Sequence, residues 1–169
     1  VMDMMIHDLD IVLMFANSPI AKLDAAGVAV LTDHEDIASV RITFDNGCVA
    51  NLAASRLALK TERKMRIFSD EAYVSLDYQN RTGMLVRKTA NHMDVLQQVR
   101  ERLAAGQDLS DLDYGSLIET EQLAMGDDSN DPLTAELQSF LNAVRQGGGI
   151  EVGASAGIAA VDAAQRVIQ

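Results

Sequence analysis

The sequence predicts an α+β fold: one mostly antiparallel open sheet of about six strands with helices packed on one face. Three observations carry this. Strand-like segments are grouped in the middle of the 169 residues and helical ones lie at the ends. Short polar turns join most of the strands, which suits antiparallel pairing. The helical segments gather their apolar residues on one side, so each needs a single surface to pack on.

Asp3 to Asn17 reads as the first helix, with Met4, Met5, Leu9, Ile11, Val12 and Phe15 recurring at three- and four-residue steps. Asn17-Ser18-Pro19 ends it, because Pro19 cannot continue a helix and disfavours helix at Ser18. A strand of small residues follows from Ile20 to Leu31. From Ile37 to Phe44 the residues alternate, with Val40, Ile42 and Phe44 on one face and Arg41 and Thr43 on the other. Asp45-Asn46-Gly47 supplies the positive φ of a tight hairpin, and Cys48 to Arg56 returns as its second strand. Met65 to Phe68 and Tyr73 to Tyr78 pair around Ser69-Asp70-Glu71, and Gly83 to Lys88 adds a further strand.

Beyond that point Val95 to Ala105 suits a helix and Ser116 to Leu123 an edge strand. Asp131-Pro132 is a helix-start signal with proline at the first position. Leu133, Leu137, Phe140, Leu141 and Val144 line one face of the helix that follows, which Gly147-Gly148-Gly149 stops. Ala154 to Ile168 is a last helix, rich in alanine and suited to close packing. Segments such as Val49-Ala50-Asn51-Leu52-Ala53 carry small or apolar residues on both faces. They predict a partner over the sheet, in a homodimer or homotetramer.

The length fits one domain, or one and a small annex. No apolar run approaches the roughly 20 residues of a membrane span, and the chain does not open with a basic start followed by a long uncharged run, so a soluble, cytoplasmic protein is expected. The net charge is −11 with Lys and Arg scattered, which argues against nucleic-acid binding. Cys48 is the only cysteine and sits in an apolar strand pattern, where a buried thiol is the ordinary outcome. His7, His34 and His92 share no metal-ligand spacing, so no metal is expected; His34 and His92 fall in polar loops and read as surface residues. The chain opens at Val1 without a polar lead, which reads as a cut inside a longer protein.

One run is chemically loaded: Asp3-Met4-Met5-Ile6-His7-Asp8-Leu9-Asp10. Asp3 and His7 are four apart and share a helix face, with Asp10 three beyond His7 near the same face. An imidazole beside a carboxylate is a common way to build a catalytic acid/base. Spacing alone leaves open a helix-end hydrogen bond of no catalytic meaning.

That run resembles the Asp-x-x-x-His signature of the Gfo/Idh/MocA oxidoreductases, which opens their second domain after a Rossmann domain. The resemblance extends to the hairpin Ile37 to Arg56, the strands Lys64 to Ser69 and Tyr73 to Asp77, the Asp131-Pro132-Leu133 helix start with Glu136 to Val144, and the helix Gly153 to Val167. It implies a substrate-binding and oligomerisation domain over residues 1–169, with a fold like the C-terminal domain of glyceraldehyde-3-phosphate dehydrogenase. It also implies an NAD- or NADP-dependent dehydrogenase of a sugar, nucleotide sugar or polyol. His7 would be the acid/base, and Asp3 would hold the imidazole or the substrate.

Met5-Ile6-His7-Asp8-Leu9-Asp10, Asn46-Gly47-Cys48-Val49-Ala50-Asn51-Leu52 and Arg63-Lys64-Met65-Arg66-Ile67-Phe68 are similar to one branch of that family. This branch oxidises the 3-hydroxyl of UDP-N-acetylglucosamine on the way to diamino sugars for lipid A. Asp10, Arg56, Arg63 and Lys64 are then candidates for substrate binding, the three cations for a diphosphate, with ordinary exposed charges beside a strand as the alternative reading of those three. No Gly-x-Gly-x-x-Gly follows a strand, and the family's Glu-Lys-Pro lysine is absent. The N-terminal Rossmann domain is therefore expected to lie outside this chain, which alone should neither bind the cofactor nor turn over. The competing reading is a non-catalytic oligomerisation module or a small ligand-binding α+β domain.

Overall fold

The computed structural model describes residues 1–90, 92–109, 114–124, 131–147, 150 and 152–168. In chain order the elements are α1 (Met2–Ala16), β1 (Ile20–Val28), β2 (Ile37–Phe44), β3 (Val49–Ser55), β4 (Lys64–Phe68), β5 (Ala72–Asp77), β6 (Thr82–Lys88), α2 (His92–Ala104), β7 (Ile118–Ala124), α3 (Pro132–Gln146) and α4 (Ala154–Ile168). The α+β class holds. Among the described residues seven strands, all paired antiparallel, form two sheets in place of the expected single one: a three-stranded sheet β1-β2-β3 and a four-stranded sheet β4-β5-β6-β7. Each sheet belongs to its own compact unit: Val1–Leu59 with Asn130–Gln169, and Lys60–Ser129.

In the first unit β2 is central and alternates strictly over most of its length. Ala38, Val40, Ile42 and Phe44 are buried, as the period of two requires of a sheet covered on one side. They meet Met5, Leu9 and Ala16 of α1, Leu52 of β3, and Ala163 and Ala164 of α4 in one cluster. The two helices touch each other, α1 lying near β3 and α4 near β1. The alanines of α4 allow this close approach. On the opposite sheet face Val49, Asn51 and Ala53 of β3 are exposed, and Arg41 donates to the Asn51 side chain at 2.9 Å.

The turn between β2 and β3 works as its residues predict. Phe44 N–H donates to Cys48 O, Gly47 N–H donates to Phe44 O, and Gly47 takes φ 86°, which a residue without Cβ adopts freely. Cys48 is exposed rather than buried. It stands at the turn, just before β3 begins, with its N–H donated to Asn46 Oδ1, so the apolar pattern of the strand does not reach it.

The helix signals also hold. Asp131 caps α3, accepting Thr134 N–H at 3.1 Å, and Gly147 closes it at φ 61°. The apolar stripe of α3 is not covered: Leu133, Leu137, Phe140, Leu141 and Val144 are all exposed. The sequence marks that face as apolar, but no described residue buries it.

In the second unit the strands line up Met65, Leu76, Gly83 and Leu123 in one cross-strand row, with Ile67, Val74 and Leu85 in the next. A Cβ at Gly83 would lie 3.0 Å from both Leu76 and Leu123. The edge strand expected from Ser116 is β7. His92 is the first residue of α2 and not part of a loop. It is half-buried, with Nδ1 2.8 Å from Thr89 O.

Asp36 lies just before β2 and is 1% exposed. Its carboxylate accepts the N–H groups of Leu31 (2.7 Å), Val30 (2.9 Å) and Thr32 (3.1 Å), and the Thr32 hydroxyl at 3.0 Å. The Leu31 and Val30 N–H groups contribute most to holding this carboxyl well below the usual carboxylate range. A depressed folded-state pKa stabilises the fold above the ordinary carboxylate pKa of about 4, and the contribution is lost as pH falls below it. Asp36→Ala should therefore lower Tm by on the order of 5 °C at neutral pH. The gap to wild type should shrink when both are melted below about pH 4. Equal melting at pH 7 would show that the carboxylate does not hold this loop.

Candidate functional site

Met5 and Leu9 fix which way α1 faces. Both are fully buried, so residues about two positions away around the helix point outward. Asp3 and His7 are exposed on that outer side, and Asp10 is half-buried. Four residues apart on a helix, Asp3 and His7 have Cβ atoms roughly 6 Å apart. Their side chains are not hydrogen-bonded to each other, and Val1 caps the helix without a side-chain bond. Only backbone closes the first turn, with Met4 N–H and Met5 N–H donated to Val1 O. The arrangement is an imidazole with a neighbouring carboxylate, both free to meet a polar ligand from solvent.

The three cations are divided between the two units. Arg56 follows β3 in the first unit, its N–H donated to Asp36 O at 2.9 Å and its side chain exposed. Arg63 and Lys64 belong to the second unit. The Arg63 guanidinium lies over the Tyr78 ring, 5.7 Å from its centroid. Lys64 Nζ reaches Glu62 at 3.2 Å and Asp77 at 3.9 Å. Lys64, Glu62 and Asp77, with Lys60, Thr61, Gln79 and Asn80, line a polar cleft of about 330 Å³. Asp77 is held below the usual carboxylate range mainly by the Asn80 N–H and side-chain amide, with Lys64 adding a smaller share. The cleft could not be read from the sequence, because Glu62, Lys64 and Asp77 look like ordinary strand-edge charges.

Among the described residues no three His, Cys, Asp or Glu side chains converge to hold a metal. None fit a nicotinamide dinucleotide either. Its diphosphate needs a glycine-rich turn leading from a strand into a helix N-terminus, whereas every strand pairing here is antiparallel. No described helix is long and apolar enough to cross a membrane.

Residues 1–75 match the family model described as the GFO/IDH/MocA C-terminal domain. The UDP-N-acetylglucosamine 3-dehydrogenase of Acidithiobacillus ferrooxidans is 36% identical over 144 residues, covering 85% of this chain and 39% of that protein. A solved structure of the same enzyme superposes with a TM-score of 0.76 at 31% identity, over 96% of this chain and 45% of the other. An oxidoreductase domain protein from Kribbella flavida shares the fold alone, with a TM-score of 0.69 at 12% identity. The chain thus spans less than half the length of each of these relatives.

Two outcomes test the site as built. Calorimetry of this chain with NAD or NADP should show no micromolar binding, and a clear isotherm would overturn the cofactor assignment. Because Asp3 and His7 are exposed, Asp3→Asn and His7→Ala should each leave Tm within about 2 °C of wild type. A larger drop in either would place that side chain in the fold's support and not in a site.

Proposed function

This chain is a C-terminal domain of the GFO/IDH/MocA family of NAD(P)-dependent oxidoreductases, and on that footing we propose that it is the substrate side of a dehydrogenase acting on a hydroxyl of a nucleotide sugar, sugar or polyol. The observation that carries the reading is the presentation of His7 and Asp3 to solvent by a helix whose other face is buried. The similarity to a UDP-N-acetylglucosamine 3-dehydrogenase supports a UDP-sugar as the substrate class.

The domain's task in the reaction is the proton. His7 accepts it from the hydroxyl being oxidised, which requires the ring within hydrogen-bond reach of that oxygen. Asp3, one helical turn away, holds the imidazole or a neighbouring hydroxyl of the substrate, and Asp10 takes a further hydroxyl. Of the three cations, Arg56 belongs to the unit that carries His7 and is the one proposed for the diphosphate, since its chemistry suits phosphate oxygens, while Lys64 already has two carboxylates within reach. The Rossmann domain and the hydride acceptor would belong to the longer protein of which this domain is a part.

The exposed sheet face of the first unit supports association through that face, since small and apolar residues there lack a covering layer among the described residues. Light scattering of the protein should report a dimer or tetramer, and a clean monomer at high concentration would count against it.

The decisive variant is His7→Ala in the protein carrying this domain with its nucleotide-binding domain. Turnover should fall about 10²- to 10⁴-fold, the usual range for a general acid/base, while KM for the sugar changes little. Asp3→Asn should act through His7, so the double variant should be little worse than the worse single one. Near-normal turnover in His7→Ala would sink the proposal and favour a binding or assembly role.

A further inference from the structure

We propose that Asn46, at the tip of the β2–β3 hairpin, is a positioning residue for His7: it latches the far end of α1 to the sheet and so fixes where the helix holds the imidazole. The inference rests on the proposed function. The geometry that points to it lies about 15 Å along the helix from His7, at the α1 C-terminus. There Asn17 leaves the helix in the left-handed conformation (φ 42°), with its N–H donated to Leu13 O.

Three bonds then tie the hairpin turn to this end. Asn46 Nδ2 donates to Ala16 O at 2.9 Å, Asn46 N–H donates to Ser18 Oγ at 3.1 Å, and Asp45 N–H donates to Pro19 O at 3.0 Å. A fourth, from Cys48 N–H to Asn46 Oδ1 at 3.0 Å, orients the carboxamide so that its NH₂ faces the helix. Asn46 thus satisfies a carbonyl of the last helical turn that would otherwise lack a partner. The opposite end of α1, which carries Asp3 and His7, has no side-chain cap. Met5 and Leu9 set the rotation of the helix. Its position along its own axis is restrained by the hydrogen bonds that Asn46 makes at its C-terminal end, whose distance limits are narrower than those of apolar packing.

The test substitutes Asn46→Asp, which keeps the shape and the acceptor but replaces the NH₂ donor with a carboxylate oxygen against Ala16 O. It also places negative charge at a helix C-terminus, where the dipole disfavours it. In the protein carrying this domain with its nucleotide-binding domain, kcat should fall on the order of 10-fold with KM for the sugar unchanged, as a small misplacement of an acid/base allows. The loss should vanish in a His7→Ala background, because a residue acting through His7 has nothing left to position. Amide hydrogen exchange at Asn17 and Asp45 should speed up in Asn46→Asp and report the opened latch directly. The same fold-loss in both backgrounds would mean that Asn46 only supports the fold, and unchanged kcat with faster exchange would mean that the latch does not reach His7. Either outcome overturns the inference and leaves the proposed function standing, whereas full activity in His7→Ala would remove both.

Discussion

Met5 and Leu9 are fully buried in the cluster formed by Val40, Ile42 and Phe44 of β2 and the alanines of α4, and the outer face of α1 follows from that burial. A rotation of the helix by one residue, about 100°, would expose two large apolar side chains at roughly 1.5–3 kcal/mol each. It would also carry the ionisable groups of the outer face toward the core, where an unpaired charge costs more still. The hydrophobic term therefore chooses one orientation. In that orientation Asp3 and His7 face solvent together, although no bond between them holds them there.

The central strand that receives this helix is pinned by polar groups at both ends. At its start the Asp36 carboxylate gathers three N–H groups from residues 30–32, and the Asp36 carbonyl accepts the N–H of Arg56. At its other end Asp45 and Asn46 bind the link between α1 and β1. Apolar packing is tolerant of small slides along a strand or a helix axis, and hydrogen bonds with narrow distance limits are not. The first unit thus takes its layering from the hydrophobic cluster and its register from these two carboxylate and carboxamide anchors.

Much of this was legible in the sequence where local chemistry and burial agree. The alternation of Ile37 to Phe44, the Asp-Asn-Gly turn and the Asp131-Pro132 cap each appear where their residues predict, within a residue or two. The strand pattern after Ile20 runs three residues past the end of β1, because Ala29-Val30-Leu31 is as apolar as the strand itself. It leaves the sheet because Asp36 competes for its backbone N–H groups, a pairing over four to six residues that periodicity cannot register. Asp36 and Asn46 were invisible as anchors for the same reason. In sequence one is a member of the polar run Asp33-His34-Glu35-Asp36 and the other a turn residue. Of the candidate site, the shared face of Asp3 and His7 followed from spacing, but nothing in the spacing gave the pair a task. That came from the family resemblance, which the match over residues 1–75 bears out for the family and not for the roles of individual side chains.

The two requirements on α1 leave its first half little freedom. Positions 5, 9 and 16 belong to the core, while position 3, two residues before the first of them, and position 7, midway between 5 and 9, lie on the outer side. The helical repeat interleaves the two sets, so a single insertion between Met5 and His7 would turn the imidazole by about 100° and sacrifice either the packing or the site. Substitution is constrained differently on the two faces. A shortened Leu9 leaves a cavity costing about 2–5 kcal/mol wherever the chain works, while a change at His7 costs the fold little. Selection for stability alone would therefore preserve Met5 and Leu9 but be nearly indifferent to a histidine and an aspartate one turn apart on the exposed face. That pair stands in an otherwise apolar opening run, Met2-Asp3-Met4-Met5-Ile6-His7, at exposed positions where an amphipathic helix calls for polar residues but not for these two in particular.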